Sequence, residues 1–332
     1  MELIFLGTSS GSPTKSRNVS GLALKKVGAR PWILIDCGEG TQHRLLHTPL
    51  SLNNLQAICI THMHGDHCYG LPGLLASAAM SGRTAPLTII GPAALQGWIA
   101  ATQQATHLTL PYSLHFIDVA ALTGVVAMKG FDISALPLSH RVPSFGYEFV
   151  ETGLPRKLDV AKLKADGIAS GPEWGRLQRG ERVTLADGRV LDGHDYQLAM
   201  RVPRKVIIGG DNDNPALLAE CVHSANVLVH EATFTQAIAS KVGPGPQHSS
   251  AMAIAQFAAE ASVPNLILTH FSPRYKDGGP GISIRDIEQE ARAHYGGKLF
   301  LARDLEVFHL NREGELSRMQ DGAPAFAGMT AR

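Results

Sequence analysis

This sequence lacks several features that would place it outside the ordinary globular proteins. Its 332 residues contain no apolar run long enough to span a bilayer and no internal repeat, so we expect no membrane partner. The four cysteines include no Cys-x-x-Cys pair, which argues against a disulfide framework and a cysteine zinc site. The start, MELIFLGTSSG, lacks the segments of a signal peptide, and we therefore expect a cytoplasmic protein. With a net charge of only +1, any surface for a polyanion must be local.

The chain does contain short apolar segments that alternate with helical patterns, which favours an α/β fold. The expected strands cover residues 3–6, 32–35, 57–61, 205–208, 227–229, 265–269 and 299–309, with more strands between 114 and 150. The expected helices cover residues 71–80, 92–101, 158–165 and 250–262. We expect a single domain over residues 1–312. Residues 313–332 are polar with little to bury, and we expect a disordered tail there.

Residues 151–200 interrupt the alternation with more charge, glycine and proline, including the turn pair Gly171-Pro172. We interpret them as an inserted arm rather than as a linker between domains. Between Pro155 and Arg182, seven Lys or Arg residues stand against four Asp or Glu residues. This mild excess suits contacts with phosphates, which give affinity without reading a base sequence. The alternative is a solvated arm with ordinary surface charge.

Histidines are concentrated in the segment THMHGDH, residues 61–67, directly after an apolar strand. Imidazole and carboxylate groups are both ligands of zinc, and this segment offers four of them. The spacing of His62 and His64 puts them on one face of an extended segment. Asp66 and His67 follow the turn and can face a second metal.

Three more candidate ligands lie at the ends of later predicted strands, where open α/β sheets place their sites: His140, Asp211 and His270. Taken singly, His140 could be a capped loop residue and Asp211 a turn residue. Together with the histidine segment they make seven ligands, enough for two zinc sites with a position left for water.

Five longer motifs carry a family resemblance: DCGEGTQ at 36–42, HMHGDHCYGLPG at 62–73, VHEATF at 229–234, QHSS at 247–250 and THFSPRY at 269–275. With them the chain resembles the ribonuclease Z branch of the metallo-β-lactamase superfamily, the tRNA 3′-processing endoribonucleases. The resemblance extends from the first residue to about residue 309. It implies an α/β fold of the αββα type, two mixed β-sheets flanked by helices, with a protruding arm that GPEWGRLQRG at 171–180 matches.

The same resemblance implies a site with two Zn²⁺ per subunit, for which Mn²⁺, Fe²⁺ or Co²⁺ could substitute, and no organic cofactor. It assigns one ion to His62, His64 and His140, the other to Asp66, His67 and His270, and a bridging position to Asp211. A bridging hydroxide would attack phosphorus, while Asp66 orients it or takes its proton. His248 would protonate the leaving oxygen, with Glu231 as its orienting partner. For Glu231 a charge at a helix N-terminus is the alternative, and His230 is expected to be structural.

The resemblance also implies precursor tRNA as the substrate and a homodimer in which the arm of one subunit serves the other. Lys15 and Arg17 in the loop of residues 7–20, with Gly171 and Pro172 in the arm, are the expected contacts with tRNA. Two ordinary surface cations are the alternative for the first pair. Asn212 stands where the family commonly has threonine, which puts a contact behind Asp211 in question.

Two alternative functions remain at this point. The same two-zinc site serves small-molecule phosphodiesterases, arylsulfatase-like enzymes and lactonases, but in those an arm is not expected. A metal-bound RNA-binding protein without turnover is the second alternative. The complete set of ligands and the presence of His248 both argue against it.

Overall fold

The computed structural model describes residues 1–154, 156–199, 201–278 and 281–319. These residues form two compact units, of which the first comprises Met1–Val150 together with the described residues from Arg204 onward, and the second Glu151–Pro203. Within the described residues, no helix has the length and apolar character that crossing a membrane requires. Strands and helices are numbered along the chain.

The first unit contains two large sheets. One has eight strands in the order β17-β16-β1-β2-β3-β4-β5-β6: β1 Glu2–Gly7, β2 Gly21–Lys25, β3 Trp32–Ile35, β4 Leu55–Cys59, β5 Leu87–Gly91, β6 Leu114–Asp118, β16 Val307–Leu310 and β17 Leu316–Arg318. The other has seven strands in the order β15-β14-β13-β12-β9-β8-β7: β7 Val126–Met128, β8 Phe131–Leu138, β9 Ser144–Glu151, β12 Lys205–Ile208, β13 Val227–Glu231, β14 Asn265–Thr269 and β15 Lys298–Leu301. Both sheets combine parallel and antiparallel pairs.

The helices of this unit are α1 Thr41–Leu45, α2 Gly65–Cys68, α3 Leu71–Met80, α4 Ala94–Thr106, α7 Ala219–Val222, α8 Gln236–Val242, α9 Ala251–Glu260 and α10 Ile284–His294. One core lies between the two sheets, where Phe5 and Ile33 of the first join Tyr147 and Val206 of the second. Each sheet also packs against its own helices through one outer core. The central parallel strands are mostly apolar because both of their faces are covered. This arrangement confirms the predicted αββα sandwich.

The second unit contains α5 Val160–Ala165, α6 Pro172–Gln178 and the hairpin of β10 Arg182–Thr184 with β11 Val190–Asp192. It has a small apolar core of its own, centred on Leu163, Leu177 and Val183. Asp159 caps α5 by accepting a hydrogen bond from the Lys162 amide. The predicted arm, residues 151–200, therefore belongs to a compact folded unit with its own core.

Two expectations near the C-terminus are wrong. Residues 299–309 do not form one strand, because β15 pairs with β14 in one sheet while β16 pairs with β1 in the other. The chain changes sheets between them, with Leu305 in the left-handed region at φ 67°. The predicted tail of residues 313–332 begins too early, since Leu316–Arg318 pair with β16. Residues 320–332 of that predicted tail lie outside the described residues.

Candidate metal centre

All seven predicted ligands lie beyond the C-terminal ends of strands, at one place in the first unit. The segment with His62, His64, Asp66 and His67 follows β4 and includes the short helix α2. His140 follows β8, Asp211 follows β12 and His270 follows β14. The sheets thus bring together residues that are more than 200 positions apart, such as Asp66 and His270.

The first group of ligands consists of His62, His64, His140 and Asp211. The Nδ1 atom of His64 lies 3.1 Å from Nε2 of His62 and 3.1 Å from Nε2 of His140. One oxygen of Asp211, Oδ2, lies 3.6 Å from Nε2 of His62 and 3.7 Å from Nε2 of His140. Four donor atoms therefore converge on one point.

The second group consists of Asp66, His67 and His270, with the other oxygen of Asp211. The Nε2 atoms of His67 and His270 are 3.2 Å apart, and they lie 3.4 and 3.3 Å from Oδ2 of Asp66. Oδ1 of Asp211 lies 3.4 Å from His67 and 3.3 Å from His270. Asp211 therefore presents one oxygen to each group, as a bridging carboxylate can.

These separations fit a zinc ion in each group. With zinc–nitrogen bonds of about 2.0–2.1 Å, two ligands of a tetrahedral site lie roughly 3.3 Å apart. The charges fit as well, because the carboxylates of Asp36, Asp66 and Asp211 are buried within this small volume. In the part of the chain that the structure describes, no Lys or Arg side chain pairs with them. A divalent cation would neutralise this excess of negative charge.

The histidine ligands that use Nε2 have their Nδ1 atoms held by the protein. Nδ1 of His67 lies 2.7 Å from Asp36, and Nδ1 of His140 lies 2.8 Å from the Gln247 carbonyl oxygen. The corresponding atoms of His62 and His270 lie 3.0 Å from the hydroxyls of Thr61 and Thr233. These contacts fix the tautomer that leaves Nε2 free for a metal.

Asp36, Thr61 and Thr233 were not among the predicted site residues. Asp36 is the first residue after β3 and accepts hydrogen bonds from both the amide and the hydroxyl of Thr61. It opens the motif DCGEGTQ, so the rule that pointed to His140 and Asp211, a polar residue at a strand end, could have found it. The two threonines also lie just beyond strand ends, but threonine is not among the usual zinc ligands, so the rule for ligands does not select them.

His248 and Glu231 lie beside the two groups. Glu231 is the last residue of β13, and its Oε1 lies 3.0 Å from Nδ1 of His248. Burial alone would lower the pKa of His248, but the Glu231 carboxylate outweighs it and raises this pKa to about 9. The ring of His248 lies 5.0 Å from that of His140 and 5.5 Å from that of His270. The Glu231 carboxylate thus favours the protonated form of His248, which lies next to the candidate metal site.

His230, which was expected to be structural, is fully buried and makes hydrogen bonds on both ring nitrogens.

The predicted tRNA contacts differ from one another in their exposure to solvent. Lys15 is exposed, and so are Gly171 and Pro172 of the second unit. Arg17 is not available as expected, because its guanidinium is 3% exposed, pairs with Asp277 and donates to the Tyr275 carbonyl oxygen. The reason is the fold of its loop, which turns this side chain inward.

Comparisons with known proteins give related sequences over nearly the whole chain. Ribonuclease Z of Pseudomonas putida (strain GB-1) is 52% identical over 315 residues, which covers 95% of this chain and 98% of that protein. Ribonuclease Z of Brevibacillus brevis is 41% identical over 317 residues, covering 94% of this chain and 98% of that protein. Residues 1–111 also match the family described as anti-Pycsar protein Apyc1.

Among solved structures, the short form of human tRNase Z superposes with a TM-score of 0.64 at 26% identity, covering 94% of this chain and all 100% of that one. The metallo-β-lactamase fold protein YhfI from Bacillus subtilis has a TM-score of 0.61 at 18% identity, with coverage of 92% and 98%. The second similarity concerns the fold alone.

Proposed function

This chain belongs to the ribonuclease Z family, and from that membership we infer that it is an endoribonuclease that removes the 3′ trailer of precursor tRNA. The observation that supports this chemistry best is the position of Asp211, with one carboxylate oxygen toward each of two ligand groups. Such paired sites are typical of enzymes that cleave phosphodiesters by in-line displacement.

We propose His62, His64, His140, Asp66, His67, His270 and Asp211 as the metal ligands, and two Zn²⁺ per subunit as the ions. Bound there, the ions would supply an activated water and a clamp on the phosphate oxygens. Mn²⁺, Fe²⁺ and Co²⁺ remain possible substitutes, since histidine and carboxylate ligands accept them. The support for two ions is that His62, His64, His140 and Asp211 form one group of donors and Asp66, His67 and His270 another. The second oxygen of Asp211 lies 3.4 and 3.3 Å from His67 and His270.

The residues of the chain have distinct parts in the proposed reaction. Asp66 orients the attacking water and takes its proton as the new bond to phosphorus forms. As the bond from phosphorus to the ribose oxygen breaks, His248 donates a proton to that oxygen. Glu231 holds His248 through Nδ1 and balances its charge, which would leave Nε2 to donate the proton. The products are the tRNA with a free hydroxyl and a trailer that carries the phosphate.

The second unit, Glu151–Pro203, is proposed to bind the tRNA away from the cut. Its arginines are mostly engaged in ion pairs, such as Arg182 with Asp192 and Arg189 with Asp187. Lys157 and Lys164 are exposed, and no ion pair involves them within the described residues. Phosphate contacts therefore fall to these lysines rather than to the arginines. Gly171 and Pro172 remain candidate contacts on the same unit, as Lys15 does near the metal ligands.

Family membership also supports a homodimer and a cytoplasmic location, and both are part of the proposal. Cleavage of a 3′-extended precursor tRNA, with zinc and with a chelator control, tests the main inference. Release of the trailer as one fragment, lost with chelator, is the expected result. Metal-dependent hydrolysis of bis(p-nitrophenyl) phosphate with the tRNA left intact would instead make the protein a small-molecule phosphodiesterase.

A further inference from the structure

Asn212 follows the bridging residue Asp211 and is completely buried. It lies where the loops carrying His140, Asp211 and His248 meet the end of strand β13, which carries Glu231. A buried amide must have its donors and acceptors satisfied, and each of its partners is then fixed in turn.

The hydrogen bonds of the Asn212 side chain have only one consistent direction. Nδ1 of His230 lies 2.8 Å from the Glu231 carbonyl oxygen, which can only accept, so this nitrogen carries the hydrogen. Nε2 of His230 is therefore an acceptor, and Nδ2 of Asn212, at 3.1 Å, donates to it. The other end of the amide, Oδ1, accepts from the backbone amides of Ser139 and Asn214, each at 3.2 Å. Both ends of the side chain are thus engaged.

The backbone of Asn212 then holds the two residues that handle the leaving group. Its amide donates to Oε1 of Glu231 at 2.9 Å, the same oxygen that contacts Nδ1 of His248. Its carbonyl oxygen accepts from the hydroxyl of Ser249, the residue after His248, at 2.7 Å. The backbone of Asn212 therefore fixes the Glu231 carboxylate through its amide. Through its carbonyl oxygen it fixes the chain next to the His248 imidazole.

We propose that Asn212 is a positioning residue for proton donation by His248, acting through Glu231 and Ser249. Its side chain sets where its own backbone lies, and that backbone sets the distance and angle between Glu231 and His248. A general acid displaced by about 1 Å can lose on the order of a hundredfold in rate. The inference rests on the proposed role of His248 and adds to it a fully buried residue outside the proposed ligand groups.

The leaving group provides the test. A ribose oxygen needs a proton when its bond to phosphorus breaks, whereas p-nitrophenolate leaves without one. We expect Asn212→Ala to lower kcat on precursor tRNA by roughly tenfold to a hundredfold. KM for tRNA, zinc content and the rate on bis(p-nitrophenyl) phosphate should each stay within about twofold. Ser249→Ala, which removes one hydroxyl, should give the same pattern more weakly and covers the case in which Asn212→Ala fails to fold.

Asn214→Ala is the matched control, because that exposed side chain is two positions away and only its backbone contacts Asn212. Equal losses on both substrates, together with a lower zinc content, would overturn the inference and make Asn212 a support for Asp211. Unchanged kcat on tRNA would overturn it as well. His248→Ala distinguishes a failure of the proposed role of His248 from a failure of the inference on Asn212. If that variant shows no difference between substrates, the proposed role of His248 fails, and if only the Asn212 and Ser249 variants show none, the inference on Asn212 fails alone.

Discussion

The Nδ1 atom of His67 lies 2.7 Å from a carboxylate oxygen of Asp36, a residue 31 positions earlier in the chain. Asp36 is itself held by the amide and hydroxyl of Thr61, at 2.8 and 2.9 Å. The hydroxyl of Thr61 in turn faces Nδ1 of His62 at 3.0 Å. One buried carboxylate thus orients a ligand of each proposed ion.

Asp36→Asn should therefore weaken metal binding without removing a ligand. An amide cannot accept all three hydrogen bonds as the carboxylate does, and it does not make His67 a stronger ligand. Loss of such a supporting partner typically costs about tenfold to a hundredfold in metal affinity. Zinc affinity measured by competition with a chelator is the direct test. Glu39→Gln, an exposed change in the same DCGEG stretch, is the control, and equal affinities for both variants would contradict the prediction.

Removal of metal by a chelator should lower stability as well as activity. Three buried carboxylates would then lie close together without the cations that balance them. An ion present at a thousand times its dissociation constant contributes about 4 kcal/mol to the free energy of unfolding. Thermal unfolding with and without chelator, followed by restoration with Zn²⁺, measures the effect. An unchanged melting temperature would mean that the ligand groups do not hold an ion in the folded protein.

Reversal of charge at Lys157 and Lys164 should raise KM for precursor tRNA and leave hydrolysis of a small aryl diester unaffected. Each lost phosphate contact should also reduce the salt dependence of binding by a slope of about one. Arg182→Gln is the comparison within the same unit, because that guanidinium is already paired with Asp192 at 3.2 Å. If both substrates lost activity together, the second unit would be needed for folding or for the site itself.

Arg17→Ala should destabilise the protein rather than remove a substrate contact. It leaves the carbonyl oxygen of Tyr275 without this donor and leaves Asp277 with the Ser16 hydroxyl but without its ion-pair partner. An unsatisfied buried group of this kind costs about 1–3 kcal/mol. Urea unfolding should report that loss, while the folded fraction keeps its rate on an aryl diester. A stable variant with a raised KM for tRNA would restore the original expectation that Arg17 binds the substrate.

A good part of the site could be read from the sequence because metal ligands are few in kind and occur at strand ends. The segment of residues 61–67 and the single residues His140, Asp211 and His270 begin within three residues of a strand end. The pattern of apolar strands and helices likewise predicted an α/β fold, since buried parallel strands require apolar side chains on both faces. Its αββα form was implied by the family resemblance. A higher content of charged and turn-forming residues likewise predicted that residues 151–200 form an inserted arm.

Other features were decided only by the tertiary structure. Nothing in the spacing of β15 and β16 indicates that they belong to different sheets, because both are short apolar strands joined by a few residues. From the sequence, Arg17 is predicted to be a surface cation, but the fold of its loop turns the side chain inward to pair with Asp277. The contacts of Asp36 with His67 and of Asn212 with His230 and Glu231 join positions far apart in the chain. Local sequence determines which residues can bind a metal or a proton, whereas the packing of the two sheets determines which partners those residues meet.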